Sequence, residues 1–185
     1  MAGKRSLRVV GGTHRGRRFE ALDGQDVRPT SDRAREAAFN LLFGLGLPMD
    51  AVVVDAFAGT GALGIEALSR GARNVVFLES SPRACAVIES NLESLGLQGR
   101  VVRGDAVATI ATHGVGADLV LADPPYDFDE WDRFIERCPT SVLLLESDRA
   151  VTPAPRSGFE VHRERRYGRA AITVLVPAGS GDALE

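Results

Sequence analysis

The feature that most constrains the fold of this 185-residue chain is a regular alternation of apolar runs and helical segments from residue 51 onward. Short apolar runs predict buried strands over residues 51–57, 74–79, 101–103, 118–122 and 141–145. Helical spacing between them predicts helices over residues 62–70, 82–95, 106–113 and 128–138. Because repeated strand–helix units connect parallel strands, we expect an α/β fold with a mostly parallel sheet and helices on both faces.

Both ends of the chain depart from this alternation. Near the C-terminus, residues 159–165 and 170–176 predict an antiparallel hairpin around Tyr167-Gly168. Near the N-terminus, residues 7–10 and 17–22 predict a short, basic two-stranded arm, and residues 31–43 predict a helix after it. We therefore expect an N-terminal extension over residues 1–46, a core over 47–178 and a frayed tail over 179–185.

The charges are unevenly distributed, although the formal net charge is only −3. Among the first 20 residues, Glu20 is the only acid. The basic residues there are Lys4, Arg5, Arg8, Arg15, Arg17 and Arg18, and a second group is Arg163, Arg165, Arg166 and Arg169. A genome that favours arginine over lysine would explain why Lys4 is the only lysine, but it would not explain the clustering. The clusters favour a phosphate-binding surface.

The remaining composition is that of an ordinary intracellular protein. No apolar run approaches the ~20 residues of a membrane span, and the basic N-terminus lacks the apolar segment of a signal peptide. Cys85 and Cys138 show neither metal-binding nor redox spacing. We therefore expect a reduced, cytoplasmic protein without disulfides, without a membrane partner and without a metal.

The first core strand and the first core helix are joined by a glycine-rich loop. Gly59, Gly61 and Gly64 match the pattern of a nucleotide-binding loop, and Glu79 follows Gly59 by 20 residues. That pattern alone would fit a dinucleotide with its pyrophosphate at the helix N-terminus. Asp55 lies directly ahead of the glycines, and its carboxylate would repel a pyrophosphate but attract an ammonium group. S-adenosylmethionine carries an ammonium group and no phosphate, so it fits this loop better.

Carboxylates at successive strand ends would hold the rest of this cofactor. Glu79 can accept hydrogen bonds from both ribose hydroxyls, and Asp105 can accept one from the adenine amino group. For each residue alone, N-capping of the following helix is an equally good explanation. Together with Asp55 they occupy three successive strand ends, which favours a cofactor site. The predicted cofactor-binding residues of these loops are Asp55, Phe57, Gly59, Gly61, Glu79, Ser80, Asp105 and Ala106.

A proline corner, Asp123-Pro124-Pro125-Tyr126, follows the strand predicted over residues 118–122. Consecutive prolines end a strand rigidly, and a simple strand-terminating turn would also contain them. The Asp123 carboxylate and the Pro124 carbonyl can accept both hydrogens of a conjugated amine, and Tyr126 can stack on its ring. We therefore predict Asp123, Pro124 and Tyr126 as the catalytic residues.

At these positions the chain resembles the bacterial small-subunit ribosomal RNA guanine-N2 methyltransferases. The resemblance covers nearly the whole chain. The matching segments are Arg8–Gly12 with Arg15–Arg17, Arg28–Asn40, Asp55–Ala72, Asp123–Tyr126 and, in the tail, Tyr167-Gly168. The resemblance implies a Rossmann-like, S-adenosylmethionine-dependent methyltransferase fold, and methyl transfer to the exocyclic N2 amine of one guanine with S-adenosylhomocysteine as product. Ala56 departs from the pattern, which has a larger apolar residue there.

The resemblance also implies that residues 28–33, including Thr30 and Arg33, close over the methionine end of the cofactor. Capping of the following helix by Thr30 or Ser31 is compatible with that role. The implied partner is ribosomal RNA within an assembling or assembled small subunit, and we expect a monomeric enzyme. The expected RNA-binding residues are Arg8, Arg15, Arg17, Arg18, Arg165, Arg166 and Arg169.

Two alternatives to an RNA methyltransferase fit parts of the sequence. A DNA adenine-N6 methyltransferase shares the proline corner, but it would need a larger recognition region than the arm and the C-terminal hairpin. A non-catalytic RNA-binding assembly factor would have no need of intact Asp55, Glu79 and Asp123. The residues alone leave open which nucleotide is modified, and whether Asp123 also accepts a proton.

Overall fold

The computed structural model describes residues 6–22 and 32–180. The strands in these ranges are β1 (Ser6–Arg8), β2 (Arg18–Glu20), β3 (Val52–Ala56), β4 (Asn74–Glu79), β5 (Arg100–Arg103), β6 (Ala117–Ala122), β7 (Thr140–Ser147), β8 (Phe159–Tyr167) and β9 (Ala170–Pro177). The α-helices are α1 (Asp32–Phe43), α2 (Ala62–Ser69), α3 (Pro82–Leu95), α4 (Ala106–His113) and α5 (Trp131–Arg137), and a 3₁₀ helix spans Pro155–Ser157. Among the described residues, no helix has the length and apolar content needed to span a bilayer.

The expected α/β sheet is confirmed. Seven strands form one sheet in the order β5-β4-β3-β6-β7-β9-β8. The strands from β5 to β7 are parallel, whereas β9 is antiparallel to both β7 and β8, as the predicted hairpin requires. Strands β4 and β5 lie on one side of β3, and β6 and β7 lie on its other side, so the strand order reverses at β3. Open α/β sheets bind ligands at such a switch point, outside the carboxyl ends of the strands.

The prediction of a helix over residues 128–138 was wrong about where the helix begins. It begins only at Trp131, because the chain first closes a turn in which the Phe128 amide donates to the Pro125 carbonyl at 2.9 Å. Pro125 fixes the entry to that turn and delays the helix. The turn keeps the proline corner outside regular structure, directly after β6.

Apolar side chains cover both faces of the sheet. On one face, residues of α1, α2 and α3 form a core with alternate residues of the strands, including Phe39, Ile65 and Phe77. On the other face, α4 and α5 form a second core around Ile110 and Phe134. The resulting helix–sheet–helix layering buries both faces of the parallel strands, which explains their nearly continuous apolar sequences.

The N-terminal arm, defined here as residues 6–22, packs on the face that carries α1–α3. Strands β1 and β2 pair antiparallel, with Leu7 opposite Phe19. Val9 and Phe19 are buried in the same core as Phe39 and Phe77. The arm is therefore built into the core of the protein by apolar contacts as well as by the polar contacts below.

Helix α2 holds the arm through two buried polar side chains. The Glu66 carboxylate is 1% exposed and accepts the Val10 and Gly11 amides at 2.8 and 2.7 Å. The Ser69 hydroxyl donates to the Gly11 carbonyl at 2.6 Å and accepts the His14 amide at 3.0 Å. Since hydrogen bonds to a buried carboxylate are charge-assisted, these contacts fix the arm's backbone on α2.

Two further contacts restrict the arm. Gly12 has φ +75°, and a Cβ there would lie 1.8 Å from the Ser69 carbonyl oxygen, so the contact requires glycine. The Arg17 guanidinium donates to the carbonyls of Ser94 and Leu95, both at 2.8 Å, in the last turn of α3. A cation at a helix C-terminus is favoured by the unpaired carbonyls and by the helix dipole.

A buried ion cluster joins α1 to α2 and to the arm. Arg35 of α1 is fully buried and donates to Asp32 Oδ1 at 2.9 Å and to the Arg8 carbonyl at 2.7 Å. Its Nε lies 3.7 Å from Glu66 Oε2, and Arg70 Nε donates to Glu66 Oε1 at 2.8 Å. Burial lowers the pKa of Arg35 and the neighbouring carboxylates oppose that shift, so the guanidinium keeps its charge.

The same cluster reaches the sheet through Glu146 of β7. This residue is buried, and its charge acts on Arg35. Leu145 pairs with Ala122 of β6, and Glu146 and Asp123 are the next residues on these neighbouring strands. The charge of Arg35 is therefore partly offset by a buried acid on the strand beside the proline corner.

Candidate active site

Carboxylates predicted from the sequence meet at one edge of the sheet. Asp55 in β3 pairs with Phe77 and Leu121 of its two neighbours, and Glu79 closes β4. Asp123 directly follows β6. The structure therefore brings the glycine loop, Glu79 and the proline corner together at the point where the strand order reverses, as expected for a site of this fold.

The glycine loop is braced by carboxylates on two sides. Asp55 Oδ2 accepts the Gly64 amide at 2.8 Å, and Glu79 Oε2 accepts the Gly59 amide at 2.8 Å. Phe57 has φ +61° although it is not glycine, which places backbone strain at the start of the loop. A Cβ at Gly64 would lie 2.3 Å from the ring of Phe77, so the third glycine permits the close packing of α2 on β4.

The electrostatics of this edge favour a cation. Burial raises the pKa of the Asp55 carboxyl well above its ordinary value, and the nearby charges of Asp123 and Glu79 raise it further. The hydrogen bond from the Gly64 amide opposes this shift. Because three carboxylates share one small region, a positively charged ligand would relieve their mutual repulsion.

The N-capping alternative holds for Asp105 but is wrong for Glu79, because Ser81 caps α3. Asp105 Oδ1 accepts the Ala108 amide at 2.8 Å, so it is the N-cap of α4. Glu79 Oε1 accepts the Ser81 amide at 2.7 Å and lies 3.4 Å from the Ser80 hydroxyl. Each carboxylate oxygen can accept more than one hydrogen bond, so these contacts leave room for a ligand. Ala106 is the buried first residue of α4.

The proline corner presents an aromatic face to solvent. Pro124 is buried, whereas Pro125 is exposed and Tyr126 is 47% exposed. Asp123 is half-buried. A flat ring bound beside Asp123 could therefore stack on Tyr126 while its amine reaches the carboxylate and the Pro124 carbonyl.

An aromatic cluster packs next to the proline corner, and of its members only Phe57 was predicted from the sequence as a site residue. The Phe57 ring, which was predicted to contact the cofactor, packs against Phe128 and Phe134 at 5.1 and 5.4 Å between centroids. Phe128 also packs edge-on against Trp131 at 4.9 Å. The spacing of Phe128, Trp131 and Phe134 by three residues was the available signal.

The arginines predicted to bind RNA differ in their surroundings. Arg17 caps α3, and Arg18 donates to the Ser6 hydroxyl at 2.9 Å. Arg8 Nε donates to Asp32 Oδ2 at 2.5 Å. The C-terminal group lies on β8, an edge strand, and on the turn after it; these residues are Arg165, Arg166 and Arg169. Arg165 donates locally, to the Glu164 carbonyl at 2.9 Å.

Of residues 28–33, the segment predicted to close over the cofactor, the structure describes only Asp32 and Arg33. Thr30 lies outside the described residues. Arg33 lies in the first turn of α1, where it lines a cleft with Arg8 and Arg15 of the arm. The structure therefore groups Arg33 with the basic arm.

Comparisons with known proteins agree with this arrangement. The model of the family described as "Conserved hypothetical protein 95" matches residues 7–176. The chain is 31% identical to "Ribosomal RNA small subunit methyltransferase D" of Escherichia coli, over 98% of this chain and 96% of that protein.

Solved structures show the same similarity. The structure described as "Putative methyltransferase yhhF from Escherichia coli" matches with a TM-score of 0.82 and 31% identity, over 94% of this chain and 98% of that one. The structure of SMU.776 complexed with SAH matches with a TM-score of 0.67 and 13% identity, over 86% of this chain and 53% of that one. At that identity the second similarity establishes a shared fold alone.

Proposed function

Because the chain belongs to the family described as conserved hypothetical protein 95, with a relative named as a small-subunit ribosomal RNA methyltransferase, we propose that it methylates that RNA. The methyl group passes from the sulfonium of S-adenosylmethionine to the exocyclic N2 amine of one guanine, which leaves S-adenosylhomocysteine and releases one amine proton to solvent. The observation that carries this proposal is the proline corner beside the braced glycine loop, since the two bring an amine-binding turn next to a cation-binding edge. The enzyme acts as a monomer in the cytoplasm on an assembling or assembled small subunit.

The chain's residues fit the cofactor by charge and by hydrogen-bonding capacity. S-adenosylmethionine supplies a methyl group already activated by its sulfonium. Asp55 lies at the carboxylate-rich edge and attracts the ammonium group, while Gly59 and Gly61 let the backbone approach closely. Glu79 accepts from the ribose hydroxyls with its remaining lone pairs, and Asp105 accepts from the adenine amine.

The proline corner orients the amine. The lone pair of a nucleobase amine is delocalised into the ring, so the amine is a poor nucleophile. The Asp123 carboxylate and the Pro124 carbonyl accept its two hydrogens, which aims the nitrogen at the methyl group. Tyr126 stacks on the guanine and fixes its plane, and the packing of Phe57 on Phe128 holds loop and corner together.

Replacing Asp55 by asparagine should make the protein more stable and weaken its cofactor binding. The asparagine oxygen can still accept the Gly64 amide, but it carries no charge that must be buried. Loss of the partner for the ammonium group should weaken binding of S-adenosylhomocysteine by about 10- to 100-fold. Calorimetric titration and thermal unfolding measure the two effects.

The stability gain should depend on pH with a definite sign. The folded-state pKa of Asp55 lies above its unfolded value, so its ionisation destabilises the fold as the pH rises above about 4. The gain of the Asp55→Asn variant should therefore be present at neutral pH and vanish below about pH 4. Asp118→Asn is a matched control, because the exposed Asp118 accepts the Val52 amide at 2.8 Å. An equal gain in both variants would refute the assigned cost of burial.

The function itself is tested by transfer of tritiated methyl groups. Purified protein is incubated with labelled S-adenosylmethionine and, separately, with isolated small subunits, naked small-subunit ribosomal RNA and duplex DNA. We expect label in guanine N2 of one ribosomal nucleotide, mapped by mass spectrometry. Label that enters DNA alone would refute the proposal, and cofactor binding without any transfer would identify a non-catalytic RNA-binding protein.

A further inference from the structure

A basic cleft of about 280 Å³ opens between the arm and the first turn of α1. Arg8 and Arg15 line it from the arm, and Asp32, Arg33 and Glu36 line it from the helix. This volume is below the usual range of pockets that enclose a whole small-molecule ligand, about 300–1,000 Å³. It suits a single charged group with its immediate substituents.

Both walls of the cleft are held in place by the core. On the arm side, Glu66 accepts the Val10 and Gly11 amides, and the Gly16 amide donates to the Val9 carbonyl at 2.8 Å. On the helix side, the fully buried Arg35 holds Asp32 at 2.9 Å. The cleft is therefore preformed, which lowers the entropy cost of binding.

The arginines that line the cleft differ in how their charges are neutralised. Arg8 pairs with Asp32, whose other oxygen is held by Arg35. The side chains of Arg15 and Arg33 make no hydrogen bond or ion pair with any described residue, and both side chains are exposed. Arg8 and Asp32 offset each other, so Arg15 and Arg33 face the single remaining acid of the lining, Glu36. The cleft therefore keeps a net positive charge that would attract an anion.

We infer that Arg15 and Arg33 bind a phosphodiester group of the RNA backbone in this cleft. The inference rests on the proposed function, and it assigns Arg33 to the RNA instead of the cofactor. Guanidinium groups bind phosphate oxygens through paired, charge-assisted hydrogen bonds, and such contacts position the nucleic acid without reading its sequence. Arg17 and Arg18 contribute less, because protein groups already accept two hydrogen bonds from Arg17 and one from Arg18.

The position of the cleft relative to the proline corner supports this assignment. Helix α1, which forms one wall, packs through Phe39 in the same core as Leu121 of β6, the strand that Asp123 directly follows. A phosphate held between the arm and α1 would therefore be anchored to the same rigid framework that holds the target base. This explains why the arm is fixed to the core by buried groups.

The test measures RNA binding and cofactor binding separately. The variant Arg15→Gln/Arg33→Gln removes two positive charges from the cleft, and Arg8 is kept because its ion pair with Asp32 is structural. The matched control, Arg133→Gln/Arg156→Gln, removes two exposed arginines that pair with Glu130 and Glu136. Filter binding of purified small-subunit ribosomal RNA is measured from low to moderate salt, and S-adenosylhomocysteine binding is measured by calorimetry.

We expect the cleft variant to bind RNA at least about tenfold more weakly, with a salt dependence that is shallower by about one phosphate contact. Its affinity for S-adenosylhomocysteine should equal that of the wild type, and the control should retain both the affinity and the salt slope. An unchanged slope in the cleft variant would overturn the inference. Loss of S-adenosylhomocysteine binding with intact RNA binding would instead place the methionine carboxylate at Arg33.

The experiments distinguish a failure of the proposed methyl transfer from a failure of the proposed phosphate site. RNA binding is measured without catalysis, so a wild-type protein that transfers no methyl group can still show the arginine-dependent salt slope. That result would refute the methyltransferase and leave the cleft assigned. Conversely, suppose that the wild type transfers methyl groups to RNA and the cleft variant keeps the wild-type salt slope of RNA binding. That result would support the methyltransferase and refute the assignment of the cleft.

Discussion

Asp123→Ala is expected to lower the rate of methyl transfer to small-subunit ribosomal RNA at least about a hundredfold. The substitution removes one of the two acceptors that hold the guanine amine, so the nitrogen is no longer aimed at the methyl group. Binding of S-adenosylhomocysteine should change little, because Asp55 and Glu79 still brace the glycine loop. Single-turnover transfer of tritiated methyl groups and calorimetric titration measure the two quantities.

Asp127→Ala is the matched control for this prediction. Asp127 is an exposed carboxylate in the same turn, four residues after Asp123, and it does not follow the strand end directly. It should keep the wild-type rate. A wild-type rate in Asp123→Ala would remove the proline corner from the mechanism, and equal losses in both variants would indicate a general effect of charge in the turn.

The largest loss of stability is expected from Glu66→Ala. This change removes the buried carboxylate that faces Arg35 Nε, although the pair of Arg35 with Asp32 remains. It also leaves the Val10 and Gly11 amides without an acceptor. Breaking a buried charge pair in this way typically costs about 3–5 kcal/mol of unfolding free energy. Urea unfolding followed by circular dichroism measures it.

Two further variants separate the cause of that loss. Glu93→Ala removes an exposed carboxylate from α3 and should change the unfolding free energy by less than about 0.5 kcal/mol. The variant Glu66→Gln removes the charge but keeps a side-chain acceptor for the backbone amides, so it should recover part of the loss. If Glu66→Gln is as unstable as Glu66→Ala, the lost charge accounts for the loss and the unpaired backbone amides do not.

The local elements of the candidate site can be predicted from the sequence, whereas the long-range contacts that hold them together cannot. The glycine loop and the proline corner are local patterns, since their glycines and prolines restrict the backbone wherever they occur. The contacts of Glu66 with Val10 and Gly11 join residues 55 and 56 positions apart, and no periodic pattern signals them. For the same reason, the sequence did not reveal the role of Arg17. It was grouped with the RNA-binding arginines, but it caps a helix 77 residues away.

The start of α5 was predicted three residues too early, because periodicity does not distinguish a turn from a helix. The apolar spacing of Phe128, Trp131 and Phe134 is helical, so it predicted a helix from residue 128. The preceding prolines instead favour a closed turn, in which Phe128 donates to Pro125. Its ring then packs on Phe57 as part of the support for the corner. A turn residue with helical spacing cannot be distinguished from a helical one by periodicity alone.

The docking of the arm also has a consequence for protein synthesis. The arm is translated before its partners: Glu66 follows 55–56 residues later, and Ser94 and Leu95 follow 77–78 residues later. Because translation runs from the N-terminal to the C-terminal side, the arm cannot complete these contacts until α3 has been made. Until α3 has emerged, the Arg17 guanidinium lacks its two carbonyl partners, so the nascent arm carries one more uncompensated cation than the folded arm.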